Sequence, residues 1–153
     1  MSRSHKCERP TLMPIVTPCI NLPGRCQEAI ALYEEAFGAT TKLLLRYADA
    51  DSRDWDSPLT DRQSDMVYHA EVFIGAQRIM FSDDLDTDLV NGTALFLTLT
   101  FDDADGVKKA YEVLKEGSTL VHPMVSTTYS SCFVSLIDKF GIRWGLMTEQ
   151  TER

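Results

Sequence analysis

No apolar run in this chain approaches the roughly 18–20 residues that a membrane-spanning helix needs. No pair among its four cysteines, Cys7, Cys19, Cys26 and Cys132, forms a CxxC unit. That spacing argues against a zinc knuckle and against a dense disulfide framework. Reduced thiols are the expectation, and with them a cytoplasmic protein. The three histidines, His5, His69 and His122, are scattered, so spacing alone yields no metal motif and no cofactor is expected. Basic charge is also scarce: Lys and Arg number 15 against 23 Asp and Glu, for a net charge of −8. Nucleic-acid surfaces are normally basic, so that partner class is set aside, as is a membrane. The opening MSRSHKCERPTLMP lacks the apolar stretch of a secretory signal and reads as a flexible leader over residues 1–12.

What is present is ordinary for a globular chain, 44% hydrophobic and 25% charged. The alternation of apolar and polar residues predicts strands over 13–22, 40–47, 66–74, 78–82, 93–101, 119–124, 132–137 and from 142 onward. Helical spacing of Ala29, Ile30, Tyr33 and Phe37 predicts a helix over 25–37 that stops at Gly38. A second helix, 104–116, opens on a cap from Asp102 or Asp103 and ends at Gly117. Residues 48–65, rich in Asp, Ser, Pro and Arg, read as a long loop. Gly75-Ala76-Gln77 signals a hairpin. The run Asp83, Asp84, Asp86, Asp88 lacks the glycine and terminal glutamate of a calcium loop and reads as an acidic linker. The order strand, helix, strand, strand, strand then occurs twice, a repeat of pattern that suggests two sheets sharing a cavity.

Four stretches carry a family resemblance: TPCINLPGRCQEAIALYEEAFGA (17–39), VYHAEVFIGAQRIMFSDD (67–84), LFLTLTFDDADGVKKAYEVLKEGSTLVHPM (95–124) and SLIDKFGIRWGLM (135–147). In that order they resemble the vicinal-oxygen-chelate superfamily of glyoxalase I, bleomycin-resistance proteins and extradiol dioxygenases, and within it the PhnB-like branch. The resemblance implies an α+β fold: paired βαβββ modules, about 13–84 and 93–149, in a single domain over 13–153. Their curled mixed sheet would surround a cavity, with helices on the convex face. Val16, Ile20, Ile79, Phe81, Leu97, Leu99, Ile142, Trp144 and Leu146 are then expected toward the helices. Thr17, Cys19, Asn21, Met80, Phe96, Thr98, Thr100, Arg143 and Gly145 are expected toward the cavity. The resemblance also implies a homodimer, which would cover open sheet edges and the cavity mouth.

Metal-dependent members of that superfamily place one His, Glu or Gln on each of the first, fourth, fifth and eighth strands. Alignment by strand motif puts Thr17, Met80, Phe96 and Gly145 at these places. A thioether, a phenyl ring and a bare hydrogen do not replace carboxylates around a divalent ion, so no metal site of that type is expected. Gly145 is also unusual as a mid-strand glycine, which marks a bulge or a close backbone approach.

The polar candidates are fewer. His69 and Glu71 alternate on one strand, within an HAxxxIG stretch that PhnB-like relatives resemble. They are the candidate catalytic residues, fitted either to proton transfer in a half-apolar cavity or to a plain ion pair on a sheet surface. His122 precedes Pro123 at a strand end and reads as a surface residue. YSSC (129–132) falls where relatives tend to carry Trp-Gly-x-Arg, so any anion grip by that arginine is lost at Cys132. Cys132 and Cys19 show no neighbouring base and read as inert thiols. Met80, Phe96, Tyr129 and Met147, with Trp55 or Phe73 nearby, either line an apolar pocket or fill the core. The candidate ligand-binding set is therefore Thr17, Cys19, His69, Glu71, Met80, Phe96, Tyr129 and Met147. Three functions compete: a metal-free small-molecule binder, a metal-free or atypically metallated lyase or isomerase using His69 and Glu71, and a structural role centred on a dimer.

Overall fold

A computed structural model of the chain describes residues 14–51, 53–54, 58–85 and 88–152. The leader over 1–12 lies outside these, as do His5, Cys7, Trp55 and Asp86.

The elements run β1 (Cys19–Leu22), α1 (Cys26–Phe37), β2 (Thr40–Arg46), a 3-10 turn (Tyr47–Asp49), α2 (Asp61–Asp65), β3 (Val67–Ile74) and β4 (Gln77–Asp83). The second half repeats the order: β5 (Leu97–Phe101), α3 (Ala104–Leu114), β6 (Thr119–Val125), β7 (Phe133–Ile137) and β8 (Arg143–Thr148). Two four-stranded mixed sheets result, β1-β4-β3-β2 and β5-β8-β7-β6. In each, the outer pair is parallel (β1 with β4, β5 with β8) and the rest antiparallel. This is the α+β pairing of βαβββ modules that the resemblance implied.

The helices form because their apolar residues fall on one side. Cys26, Ala29, Ile30 and Tyr33 of α1 are buried, as are Val107, Ala110 and Leu114 of α3. Asp103, not Asp102, caps α3, accepting a bond from the Gly106 amide at 3.1 Å. The two helices pack on each other and on the sheets. One core spans both modules: Tyr33 of α1 lies 5.1 Å from the Trp144 ring of β8 and 6.0 Å from Phe81 of β4.

Three differences from the sequence reading have physical reasons. The first strand starts at Cys19, because Pro18 has no amide hydrogen to pair, although its carbonyl accepts from Met80 at 2.9 Å. Val16 is consequently 89% exposed and does not face the helices. The fifth strand starts at Leu97, where pairing with Trp144 begins. The supposed loop over 48–65 holds α2, nucleated by a capping box: Thr60 Oγ1 accepts from the Gln63 amide and Gln63 Oε1 from the Thr60 amide.

Candidate functional site

The first sheet aligns a row of candidates by register. Cys19 sits beside Met80, and Met80 beside Glu71, which faces Leu43. His69, two residues before Glu71 on β3, shares that face, because side chains alternate along a strand. The opposite face carries Ala70, Val72, Ile79 and Phe81, all buried in the core. His69 Nε2 lies 2.9 Å from Glu71 Oε2, and Arg78 Nη1 lies 3.5 Å from Glu71 Oε1. The bond from His69, with a smaller contribution from the Arg78 charge, holds the Glu71 carboxyl below its ordinary range. Arg78 was not singled out from sequence; its signal is the two-residue spacing to Met80 on the same strand.

The second sheet presents a different surface. Its rows are Thr98–Gly145–Ser135–His122 and Thr100–Met147–Phe133. Tyr129 reaches the edge of the Phe133 ring at 6.0 Å, and His122 reaches it at 5.7 Å. A cavity of about 250 Å³ is lined there by Phe96, Tyr129, Phe133 and Met147 together with Gly145 and Thr98.

The predicted ligand-binding residues thus form two groups. Cys19, His69, Glu71 and Met80 lie on the first sheet, and Phe96, Tyr129 and Met147 belong to the second. Thr17 and Phe96 lie just before β1 and β5, while the register partners of Met80 and Gly145 are Cys19 and Thr98. Cys19 lines a cavity at the junction of the two modules, and Phe96, Tyr129 and Met147 line another.

Gly145 is buried, and what fills its side-chain space is Thr98. A Cβ built on Gly145 would stand 2.7 Å from Thr98 Oγ1 and 3.3 Å from Thr98 Cγ2. Thr98 is branched at Cβ, so turning its hydroxyl away brings another atom in. At the four strand places that the resemblance aligns with a metal site, the chain offers a thiol or hydroxyl, a thioether, a phenyl or hydroxyl, and a glycine, a set poorly suited to a divalent ion. Among the described residues, no three His, Cys, Asp or Glu side chains are grouped to hold a metal.

The described cysteines are free thiols, Cys19 exposed, Cys26 and Cys132 buried. Burial pushes the Cys132 thiol up, and its amide donates to Ser130 Oγ and Thr148 Oγ1. Two buried carboxylates do structural work that the sequence reading missed. Asp83 accepts from the Cys26 and Val67 amides, both at 2.9 Å. Asp138, read from sequence as a turn residue, binds four donors.

No family model matches the chain. It is similar to protein YjdN of Escherichia coli, 25% identical over 137 residues that span 86% of this chain and 92% of that one. A PhnB protein of Bacillus cereus, whose name also carries 3-demethylubiquinone-9 3-methyltransferase, superposes with a TM-score of 0.72 at 22% identity, over 87% of this chain and 98% of that one. A glyoxylase/bleomycin resistance protein/dioxygenase domain of Frankia superposes with a TM-score of 0.62 at 14% identity, over 94% and 96%. No helix among the described residues is long and apolar enough to cross a membrane. Paired βαβββ modules, repeated sheet order and these superpositions together give the chain the fold of the vicinal-oxygen-chelate superfamily.

Proposed function

We propose that the chain is a PhnB-like small-molecule-binding protein of the vicinal-oxygen-chelate superfamily that works without the superfamily's usual metal. The carrying observation is Gly145: it has no side chain to offer a metal, and a Cβ built there would stand 2.7 Å from Thr98 Oγ1, so any side chain at that place requires Thr98 to shift. In this reading one domain over 13–153 binds a partly apolar molecule between a polar half, Cys19, His69, Glu71 and Met80, and an aromatic half, Phe96, Tyr129 and Met147. A homodimer would bring the two halves together from different chains. In keeping with this reading, Cys19 of the polar half and Phe96, Tyr129 and Met147 of the aromatic half line two different cavities. The free cysteines support a cytoplasmic location.

Native mass spectrometry before and after mild chelation tests this. The expected spectrum is a metal-free dimer, with a co-purified organic molecule as the guide to the ligand. Near-stoichiometric Zn, Ni, Mn or Fe would overturn the metal-free reading and turn attention to His69, Glu71 and His122 as ligands.

One observation favours a second reading, a lyase or isomerase without the usual metal. With His69 donating through Nε2 to Glu71, Nδ1 is left as an acceptor, the arrangement of a base oriented by a carboxylate. Turnover with a pH optimum, abolished in His69→Ala, would establish it. Binding that survives His69→Ala with no turnover would leave the binder reading alone.

A further inference from the structure

Where the two modules meet, a cavity of about 300 Å³ is lined by β1, by the connection between modules and by the start of β8. That volume is at the lower end of small-molecule pockets, about 300–1,000 Å³. Arg143 is the one charged residue among those lining it. Arg25, Arg53 and Arg78 each pair with a carboxylate, whereas Arg143 does not.

Arg143 is half-buried, and its side chain makes no hydrogen bond or ion pair with the described residues. Its Nε is buried without a partner. A buried donor left unpaired is costly, and more so on a charged group. The guanidinium is not loose: it lies over the Phe96 ring, 4.7 Å from the centroid. A planar fork held flat by an aromatic ring is poised to receive an oxyanion through paired N–H bonds.

The other polar groups of the cavity point the same way. Ser82 donates its hydroxyl to Asn21 Oδ1 at 2.7 Å, which leaves the Asn21 amide nitrogen as the group to offer. Asn91 is packed against Gly141, at φ +88°, so closely that any Cβ there would collide with the Asn91 amide. Around these donors the lining is apolar, and Leu95 is 74% exposed at the surface. An arginine and amide groups with no carboxylate among the lining residues, set in an apolar wall, suit an anion with a hydrocarbon body.

We propose that this seam cavity is a binding site for a small organic oxyanion, whose carboxylate or phosphate head pairs with Arg143 while a short apolar tail lies against Leu95 and Leu97. The site adjoins the two halves of the proposed function, sharing Cys19 with one and resting on Phe96 of the other, and it does not depend on the metal-free reading.

The test follows the Arg143 Nε–H resonance and the backbone amides of Leu95, Leu97 and Gly141 by ¹⁵N NMR during titration. The probes are hexanoate, hexyl phosphate, hexanol and inorganic phosphate. Saturable shifts with hexanoate or hexyl phosphate, and weaker response to hexanol and to inorganic phosphate, are expected. Preference for one of the first two decides between carboxylate and phosphate sources. Arg143→Gln should bind about tenfold more weakly or worse. Equal affinity for hexanol and hexanoate, no saturation with either organic anion, or undiminished binding in Arg143→Gln would overturn the proposal. Should Arg143→Gln fail to fold, the hexanoate–hexanol comparison in the unaltered protein still decides.

Discussion

The Tyr33 hydroxyl donates to the Asp138 carboxylate at 2.5 Å, joining residues 105 positions apart. Tyr33 belongs to the helix of the first module and Asp138 to the turn before β8 in the second. The same oxygen accepts from Trp144 Nε1 at 2.8 Å, and the other oxygen takes the amides of Phe140 and Ile142. A buried carboxylate satisfied by four donors fixes the two modules in one relative position.

Tyr33→Phe keeps the ring contacts with Phe37, Phe81 and Trp144 and removes only the hydroxyl. A hydrogen bond to a charged group contributes about 1.5–3 kcal/mol, so urea unfolding should report a loss of that order. An unchanged midpoint would mean that Asp138 finds water or another donor in place of Tyr33.

Gly145→Ala should destabilise the chain by about 1–3 kcal/mol, because a methyl there meets Thr98. Thr98→Ala removes both of the closest atoms. The double variant should therefore recover much of the loss, with a coupling of at least about 0.5 kcal/mol. Strict additivity in the four-variant cycle would show that the two side-chain positions do not compete for space.

The Cys26 thiol is pushed well up, first by burial and then by the Asp83 carboxylate beside it. In the unfolded chain a thiol ionises near about 8.5. A group whose pKa is raised on folding contributes stability below its unfolded value and loses it as pH rises. Thermal stability should therefore fall above about pH 8.5, and Cys26→Ala should flatten that slope. Equal slopes for the two proteins would remove Cys26 from the alkaline response.

Glu71 behaves in the opposite sense. His69 and Arg78 favour its ionised form, so its contribution is present above the unfolded carboxylate value, about 4.3, and disappears as pH falls through the lower folded value. The stability difference between the native sequence and Glu71→Gln should be small, greatest above that pH, and gone in strong acid. A difference that grows on acidification would contradict the ion pair seen on β3.

Native alkylation with iodoacetamide should modify exposed Cys19 and spare Cys26 and Cys132 until the chain unfolds. Peptide mapping reads this directly; early labelling of Cys132 would require an opening of the β7 end of the second sheet.

Much of this architecture was legible in particular residues. The alternation through His69, Ala70, Glu71 and Val72 assigned each side chain to its face, because period two leaves no choice once one face is buried. Helix α3 was visible in Val107, Ala110 and Leu114. What could not be read were quantities set by pairing between distant strands. The register that seats Thr98 on Gly145 depends on how β5 lies beside β8, and nothing within either strand encodes it. The role of Asp138 was hidden for the same reason, since its decisive donor comes from the other module. Missing the Thr60–Gln63 box was different: that signal was local and present in the sequence.

The tight seat of Gly145 against Thr98 also orders the routes by which such a chain could change. A glutamate introduced at 145 first would arrive where a neighbouring side chain already sits, so that step is penalised before any ligand can form. Loss of bulk at 98 removes the closest contacts and makes room for that step. In this geometry a side chain on β8 at this place is reached most readily by two changes, at 98 and at 145, and not by one.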